Sequence, residues 1–346
     1  MEYSSGTSRQ SSEAIFVIRS VSTILGNYYF RIALGLTVGA AFLFLSLRGV
    51  SWSEVENELE GISSLWVLCA FFLYWLELSL RIIRWRVLLS HLEPPIKISQ
   101  ISIAFLSGYA VNNVLPAKLG EAFRADLLGR LASVSRLTAF GSIILERLFD
   151  MLVILGMATC GVLFITTTQY DTLEQVNRGL VVLVIPISIL AILVYLLVAN
   201  KNAFLIVKLK ALSTKMENLI HGLHIIEHPS SYLKLIASTF VIWALNCLVM
   251  WSILMALNIQ LTISQVILLV GITGISAAIP AAPAGIGTLQ YAFYLSSVLF
   301  EYSPAVAIVA SMIVQIALLG SVTLVGALAY SYIASVYFFR PKEVDQ

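Results

Sequence analysis

Long apolar runs separated by short polar segments fill most of the chain. A helix needs about 20 predominantly apolar residues to cross a bilayer. Six runs meet that length, at approximately 30–48, 63–83, 138–168, 179–199, 232–257 and 304–337. The runs at 101–115 and 264–280 are shorter. Each ends in a proline break and is followed by a second short run, 119–131 or 284–300. Pro116 stands four residues before Gly120, and Pro283 four before Gly287. Proline interrupts the helical ladder and glycine admits the turn that follows. Irregular backbone at membrane depth survives only where protein or a water-filled cavity satisfies it. Residues 101–131 and 264–300 are therefore expected to form two broken, re-entrant hairpins that enter and leave on one side. The expected fold is an all-α polytopic membrane protein with about six spanning helices and these two hairpins. Eight full spans is the alternative.

The charges between the runs orient them. Glu54, Glu56, Glu58 and Glu60 oppose only Arg48 in the first loop, which is placed outside. Arg81, Arg84, Arg86 and Lys97 place the next connection inside, as do Lys201, Lys208, Lys210 and Lys215 for the segment after 200. The expected organisation follows. Residues 1–29 are a cytoplasmic segment, and 30–168 a first membrane repeat. Residues 169–231 hold an external loop, a span and a cytoplasmic interfacial helix over 203–226. Residues 232–337 complete a second repeat, and 338–346 are a cytoplasmic tail. Three spans per half is an odd number, so the second copy is expected upside down, as an inverted repeat. Both termini then face the cytoplasm, and the plasma (inner) membrane is the expected location.

Composition agrees. The chain of 346 residues is 59% hydrophobic and 12% charged, against about 25% charged in soluble domains. No polar stretch is long enough to hold a separate globular active site, and the polar first 20 residues lack the pattern of a cleaved signal. Cys69, Cys160 and Cys247 lie in apolar runs and match no metal or disulfide spacing. His221, His224 and His228 form a helical stripe in a polar segment and read as solvated surface. No metal, no cofactor and no nucleic-acid partner are expected.

Candidate chemistry gathers near the first break. Asn112 and Asn113 precede it; Gly120, Glu121 and Arg124 follow. A charge at the bilayer centre costs about 2.5–3.5 kcal/mol on insertion scales, so such groups face a cavity or a partner. Arg124 is the expected ligand for an anionic lipid phosphate, with Glu121 orienting it and the amides after Gly120 adding a helix N-terminus. Asn112 and Asn113 either bind a headgroup or satisfy backbone freed by the break. Pro116, Gly120, Pro283, Gly285 and Gly287 are expected to be architectural, and Gln290, the most polar residue of the second hairpin, is expected to bind substrate with Asn112, Asn113, Glu121 and Arg124. Glu77, Arg81 and Arg84 make one stripe on the second span; Glu146, Arg147 and Asp150 lie inside the third. These six read as a structural ion-pair network or as a site of proton or ion coupling.

Four motifs carry a resemblance. RIIRWRVLL (Arg81 to Leu89), LPAKLGEAFRADLL (Leu115 to Leu128), ERLFD (Glu146 to Asp150) and PAAPAGIGTLQ (Pro280 to Gln290) occur in this order. Together they resemble the lysylphosphatidylglycerol synthase transmembrane-region family, flippase-like proteins related to the membrane half of multiple peptide resistance factor. The resemblance covers about residues 30–335 and implies a lipid-translocating bundle with re-entrant helices. It points to Asn113, Pro116, Gly120, Glu121, Arg124, Glu146, Arg147, Asp150, Pro283, Gly285 and Gly287. Gln290 stands where the family pattern implies a Glu, and with no aminoacyl-transferase domain read in this sequence, aminoacylation of lipid by this chain alone is not expected. The expected partner is a membrane lipid substrate. A polyprenyl-phosphate-dependent glycosyltransferase, drawing on Glu54 to Glu60, and a non-transporting partner of a lipid-modifying enzyme are the rival readings.

Overall fold

A computed structural model describes residues 28–338, apart from 91, 93, 116–117, 170–228 and 280–281. The expected span at 179–199, the interfacial helix at 203–226, the histidine stripe and Pro116 lie outside the described residues. The described residues form helices and no strands. In chain order these are α1 (Tyr28–Leu47), α2 (Trp52–Glu60), α3 (Ser64–Leu88), α4 (Ile98–Val114), α5 (Leu119–Ala132), α6 (Arg136–Gln169), α7 (Pro229–Ala256), α8 (Ile263–Ala278), a 3-10 turn at Pro283–Gly285 and α9 (Thr288–Phe300). The last, α10 (Pro304–Val336), is one long helix interrupted by a π-helical turn at Val314–Leu319.

Among the described residues four helices are long and apolar enough to cross a membrane: α3, the Arg136–Phe164 part of α6, Leu233–Ala256 of α7, and α10. A fifth arises if α1 is counted with α2, which is bent from it by 84°. α2 is amphipathic; Val55 is buried while Glu54, Glu56 and Glu60 are exposed. The segment expected to be an external loop is thus a short helix, because Val55 finds a place to bury against the bundle.

α4 and α5 lie side by side and antiparallel. The Gln100 side-chain amide donates to the Leu131 carbonyl at the open end, and the Gly120 amide donates to Asn112 Oδ1 at 2.7 Å at the closed end. Gly120 is where the two arms come closest: a Cβ there would overlap the Gly108 carbonyl oxygen. α8 and α9 pack together in the same order, and α4 also contacts the 3-10 turn Pro283–Gly285, so the two closed ends meet. The backbone at both breaks is left-handed at a non-glycine residue, Lys118 (φ 55°) and Ala284 (φ 52°).

The two halves exchange elements reciprocally. α4 packs along α10, and α8 along α6. Both seams use small residues, as expected where lipid supplies no hydrophobic drive between helices and close van der Waals packing decides. Gly326 sits under the Leu106 carbonyl, while Gly161 and Gly271 sit against Leu268 and Ala158. α3 and α7 are antiparallel neighbours, joined by Trp66 with Trp251, Ser252 with Cys69, and Asn246 with Glu77.

Candidate functional site

The second span places Glu77, Arg81 and Arg84 at helical spacing, and all three are buried. Arg86, off this stripe, is exposed. α6 supplies the opposing carboxylates, Glu146 and Asp150, one turn apart and both buried. Arg84 has no exposed surface. It donates to Asp150 through Nη1 (2.7 Å to Oδ1) and Nη2 (3.0 Å to Oδ2), to Glu146 Oε1 at 3.2 Å, and to Thr239 of α7 at 3.1 Å. Arg81 pairs with Glu77 at 2.7 Å and reaches Asp150 at 3.5 Å. The Trp243 indole N–H donates to Asp150 Oδ1 at 3.1 Å, and the Asn246 amide to Glu77 Oε2 at 3.2 Å. α3, α6 and α7 are therefore locked by one buried ionic network. A buried charge is tolerable only when paired and hydrogen-bonded; each of these groups is paired, and Nε of Arg84 is left without a hydrogen-bond partner.

The first hairpin joins this network through Arg124. Its Nη2 donates to Glu146 Oε2 at 2.9 Å. Its guanidinium lies 3.6 Å from the Trp85 ring centroid and 4.4 Å from that of Phe105. Trp85 is itself fixed by an indole bond to Ser142 at 2.9 Å. Nε of Arg124, like that of Arg84 and Arg147, is buried with no hydrogen-bond partner. Sequence spacing links Arg124 with Glu121, three residues away; the structure gives them different partners. Arg124 turns inward to Glu146, while half-buried Glu121 faces Arg147 at 3.5 Å. Arg147 also contacts Glu146 at 3.0 Å and Asp150 at 3.8 Å. Asp126 holds Arg130 and Arg136 at the surface.

A cavity of about 490 Å³ opens where the hairpin ends meet. Its charged lining is Glu77, Arg81, Lys118, Glu121, Arg124, Arg147 and Asp150; Arg84 and Glu146 stand behind them. The opposite wall comes from the second hairpin and is nearly neutral, with Thr273, Ser276, Thr288 and Gly285. Asn112 and Asn113 both line the cavity, yet their side chains serve the protein. Asn112 accepts from the Gly120 amide, so the first amide after the break is already satisfied. Asn113 donates to the Leu319 carbonyl and to Thr323 Oγ1 (2.9 Å) on α10, at the π turn. Gln290 is not in the cavity wall. Its Oε1 accepts from the Gly287 amide at 2.7 Å and its Nε2 donates to Gln315 of the π turn at 2.6 Å. Gln315 in turn donates to the Ala284 carbonyl at 3.3 Å. The π turn thus ties down both hairpin ends. Its role is invisible to sequence spacing, because the α-to-π change leaves no pattern in an apolar run.

Gln290 to Gln315 and Arg124 to Glu146 hold equivalent places: each bonds the second arm of a hairpin to the helix that follows. One is ionic and one neutral. Sequence reasoning passed over Lys118 and the cradle of Trp85 and Phe105. A lysine at a proline–glycine break was the available signal for the first.

Comparison with known proteins bears on this site. The family described as Lysylphosphatidylglycerol synthase TM region matches residues 32–326. A UPF0104 membrane protein of Methanocaldococcus jannaschii is 25% identical over 236 residues, covering 67% of this chain and 97% of the relative. A second from the same organism is 22% identical over 292 residues, covering 79% and 86%. The glycosyltransferase AglD of Haloferax volcanii is 24% identical over 338 residues, covering 85% of this chain and 53% of that protein.

Proposed function

From the premise that this chain belongs to the lysylphosphatidylglycerol synthase TM region family, we propose that it is a flippase-like lipid translocase whose substrate carries an anionic phosphate. The observation that carries this reading is Arg124. It is held by a carboxylate and two aromatic faces, it lines the cavity between two broken hairpins, and one of its nitrogens is buried without a partner. Paired interrupted segments of this kind mark the substrate site in transporters built from repeats.

The geometry supplies a way to take up and release the headgroup. Glu146 Oε1 is held by Arg84 and Arg147, and Oε2 by Arg124. Arg124 can transfer its Nη2 bond to a phosphate while Glu146 keeps two cations. The acyl tails stay in lipid and only the headgroup enters. Translocation proceeds by rocking of two inverted halves. The antiparallel pairing of α3 with α7, which hold equivalent places, and the reciprocal α4–α10 and α8–α6 seams support a two-fold axis in the membrane plane. Residues 30–168 and 169–337 are then the two repeats, 101–131 and 264–300 re-enter from opposite faces, and both termini are cytoplasmic in the plasma membrane by the distribution of Lys and Arg.

The test is translocation in proteoliposomes of labelled phosphatidylglycerol, phosphatidylcholine and polyprenyl phosphate. Wild type is expected to move at least one phosphate-bearing anionic lipid, and Arg124→Ala to slow it about tenfold or more, the scale of a lost charge-assisted hydrogen bond. A wild-type chain that moves no lipid sinks the proposal. The relative named a glycosyltransferase favours a second reading, polyprenyl-phosphate-dependent sugar transfer. Against the part once given to the first acidic segment, Glu54, Glu56 and Glu60 are exposed and outside the cavity wall. A co-purifying synthase would instead mark the chain as partner to a lipid-modifying enzyme.

A further inference from the structure

The charges around the cavity do not cancel. Arg81, Arg84, Arg124 and Arg147 are each ion-paired, and their partners are Glu77, Glu121, Glu146 and Asp150. Four guanidiniums meet four carboxylates. The remaining charged group in the wall is Lys118, which makes no hydrogen bond or ion pair through its side chain with any described residue. Among the described residues, the site carries one cation in excess.

Lys118 is also held in a conformation that its side chain does not favour. Its φ is 55°, in the left-handed region, where a Cβ crowds the following carbonyl. The other break has the same conformation at Ala284. The break itself therefore needs a left-handed residue and does not need a lysine. Lys118 is exposed and lines the cavity without a side-chain partner among the described residues, so its charge has no architectural use at the break. Strain of this kind is a pointer to function when the surroundings over-determine it, as the Asn112 bond and the Gly108–Gly120 contact do here.

We infer that Lys118 is the specificity-determining cation of the cavity, and that the headgroup it selects carries one net negative charge, as a phosphodiester without a compensating ammonium does. This rests on the lipid-phosphate reading above and deepens it. Arg124 is fixed by Glu146, Trp85 and Phe105 and presents a rigid donor edge. Lys118 supplies the charge that a singly anionic headgroup neutralises. A zwitterionic headgroup would leave the site with its excess cation uncompensated.

The experiment is binding of phosphatidylglycerol and phosphatidylcholine to the purified full-length chain by native mass spectrometry, with thermal stability measured alongside. Wild type is expected to prefer phosphatidylglycerol about tenfold or more. Lys118→Gln loses that preference, and Lys118→Arg keeps it within about threefold. Lys118→Gly is the decisive variant, because glycine accepts the left-handed backbone. It should match or exceed wild type in thermal stability while losing the preference; a merely structural lysine would not separate the two. A Lys118→Gln variant that keeps the preference, or a wild type indifferent to headgroup charge, overturns the inference. If Arg124→Ala weakens binding while Lys118→Gln keeps the wild-type preference, only the role of Lys118 fails. If wild type binds neither lipid, the lipid reading fails with it. Displacement by soluble glycerophosphoglycerol as effective as by the lipid would move the ligand from lipid to free phosphodiester and leave the charge selection standing.

Discussion

Arg84→Met should be the most destabilising single substitution in the ionic network. Arg84 is completely buried and holds Glu146 and Asp150 at once. Removing one partner of a buried pair costs about 3–5 kcal/mol, because it strands a charge that cannot reach water. Here the cost falls toward the lower end. Asp150 retains Arg81 and the Trp243 indole, and Glu146 retains Arg124 and Arg147. Stability is read by denaturation of the detergent-solubilised chain. Adding Asp150→Asn should recover part of the loss, since the stranded charge is removed with its partner; contacting residues are not additive. Two losses that simply add would show that Arg84 and Asp150 are not coupled as their 2.7 Å contact requires.

Gly287→Ala is expected to damage the second hairpin to a similar degree for a different reason. Gly287 has φ 90°, and a Cβ there would overlap the Gly39 carbonyl oxygen of α1. Left-handed backbone costs an L-residue about 1–2 kcal/mol, and overpacking adds about 1–3 kcal/mol. Gly285→Ala provides the control. Its φ is also positive, at 67°, but the nearest atom to an added Cβ is Thr288 Oγ1 at 3.6 Å, an ordinary contact. It should pay only the backbone part, about 1 kcal/mol. Gly287, with ψ −57°, lies outside the left-handed helical well, so its backbone part is at least that of Gly285, and the docking of α1 adds to it. Equal losses would mean that the α1 contact contributes nothing to stability.

The Gly287 case shows what one-dimensional reading reaches. Pro283 and Gly287 repeat the spacing of Pro116 and Gly120, so both hairpins and their breaks are legible in sequence. The arms fall within a few residues of their expected limits, with the first beginning at Ile98 and the fourth at Thr288 after a 3-10 turn. Helical spacing also placed Glu77, Arg81 and Arg84 on one stripe, because that relation is local.

Partners were less accessible. Glu121 and Arg124 are neighbours along α5, yet bond different residues of α6, since the two side chains leave the helix toward different depths of the bundle. Asn113 and Gln290 looked like headgroup ligands. Each instead serves the π turn of α10, 206 and 25 residues away in sequence respectively.

The sequence by itself determined a membrane-embedded, all-helical chain, two proline–glycine breaks, and a stripe of charges too deep to be left unpaired. Those features follow from hydrogen-bond satisfaction in lipid and from helical period, which act over a turn or two. The tertiary structure alone decided which carboxylate each arginine meets, that both hairpin ends converge on one cavity, and that Lys118 is left over. Such facts depend on helices distant in sequence reaching one place, where distance and dielectric, and not spacing along the chain, set which charges pair.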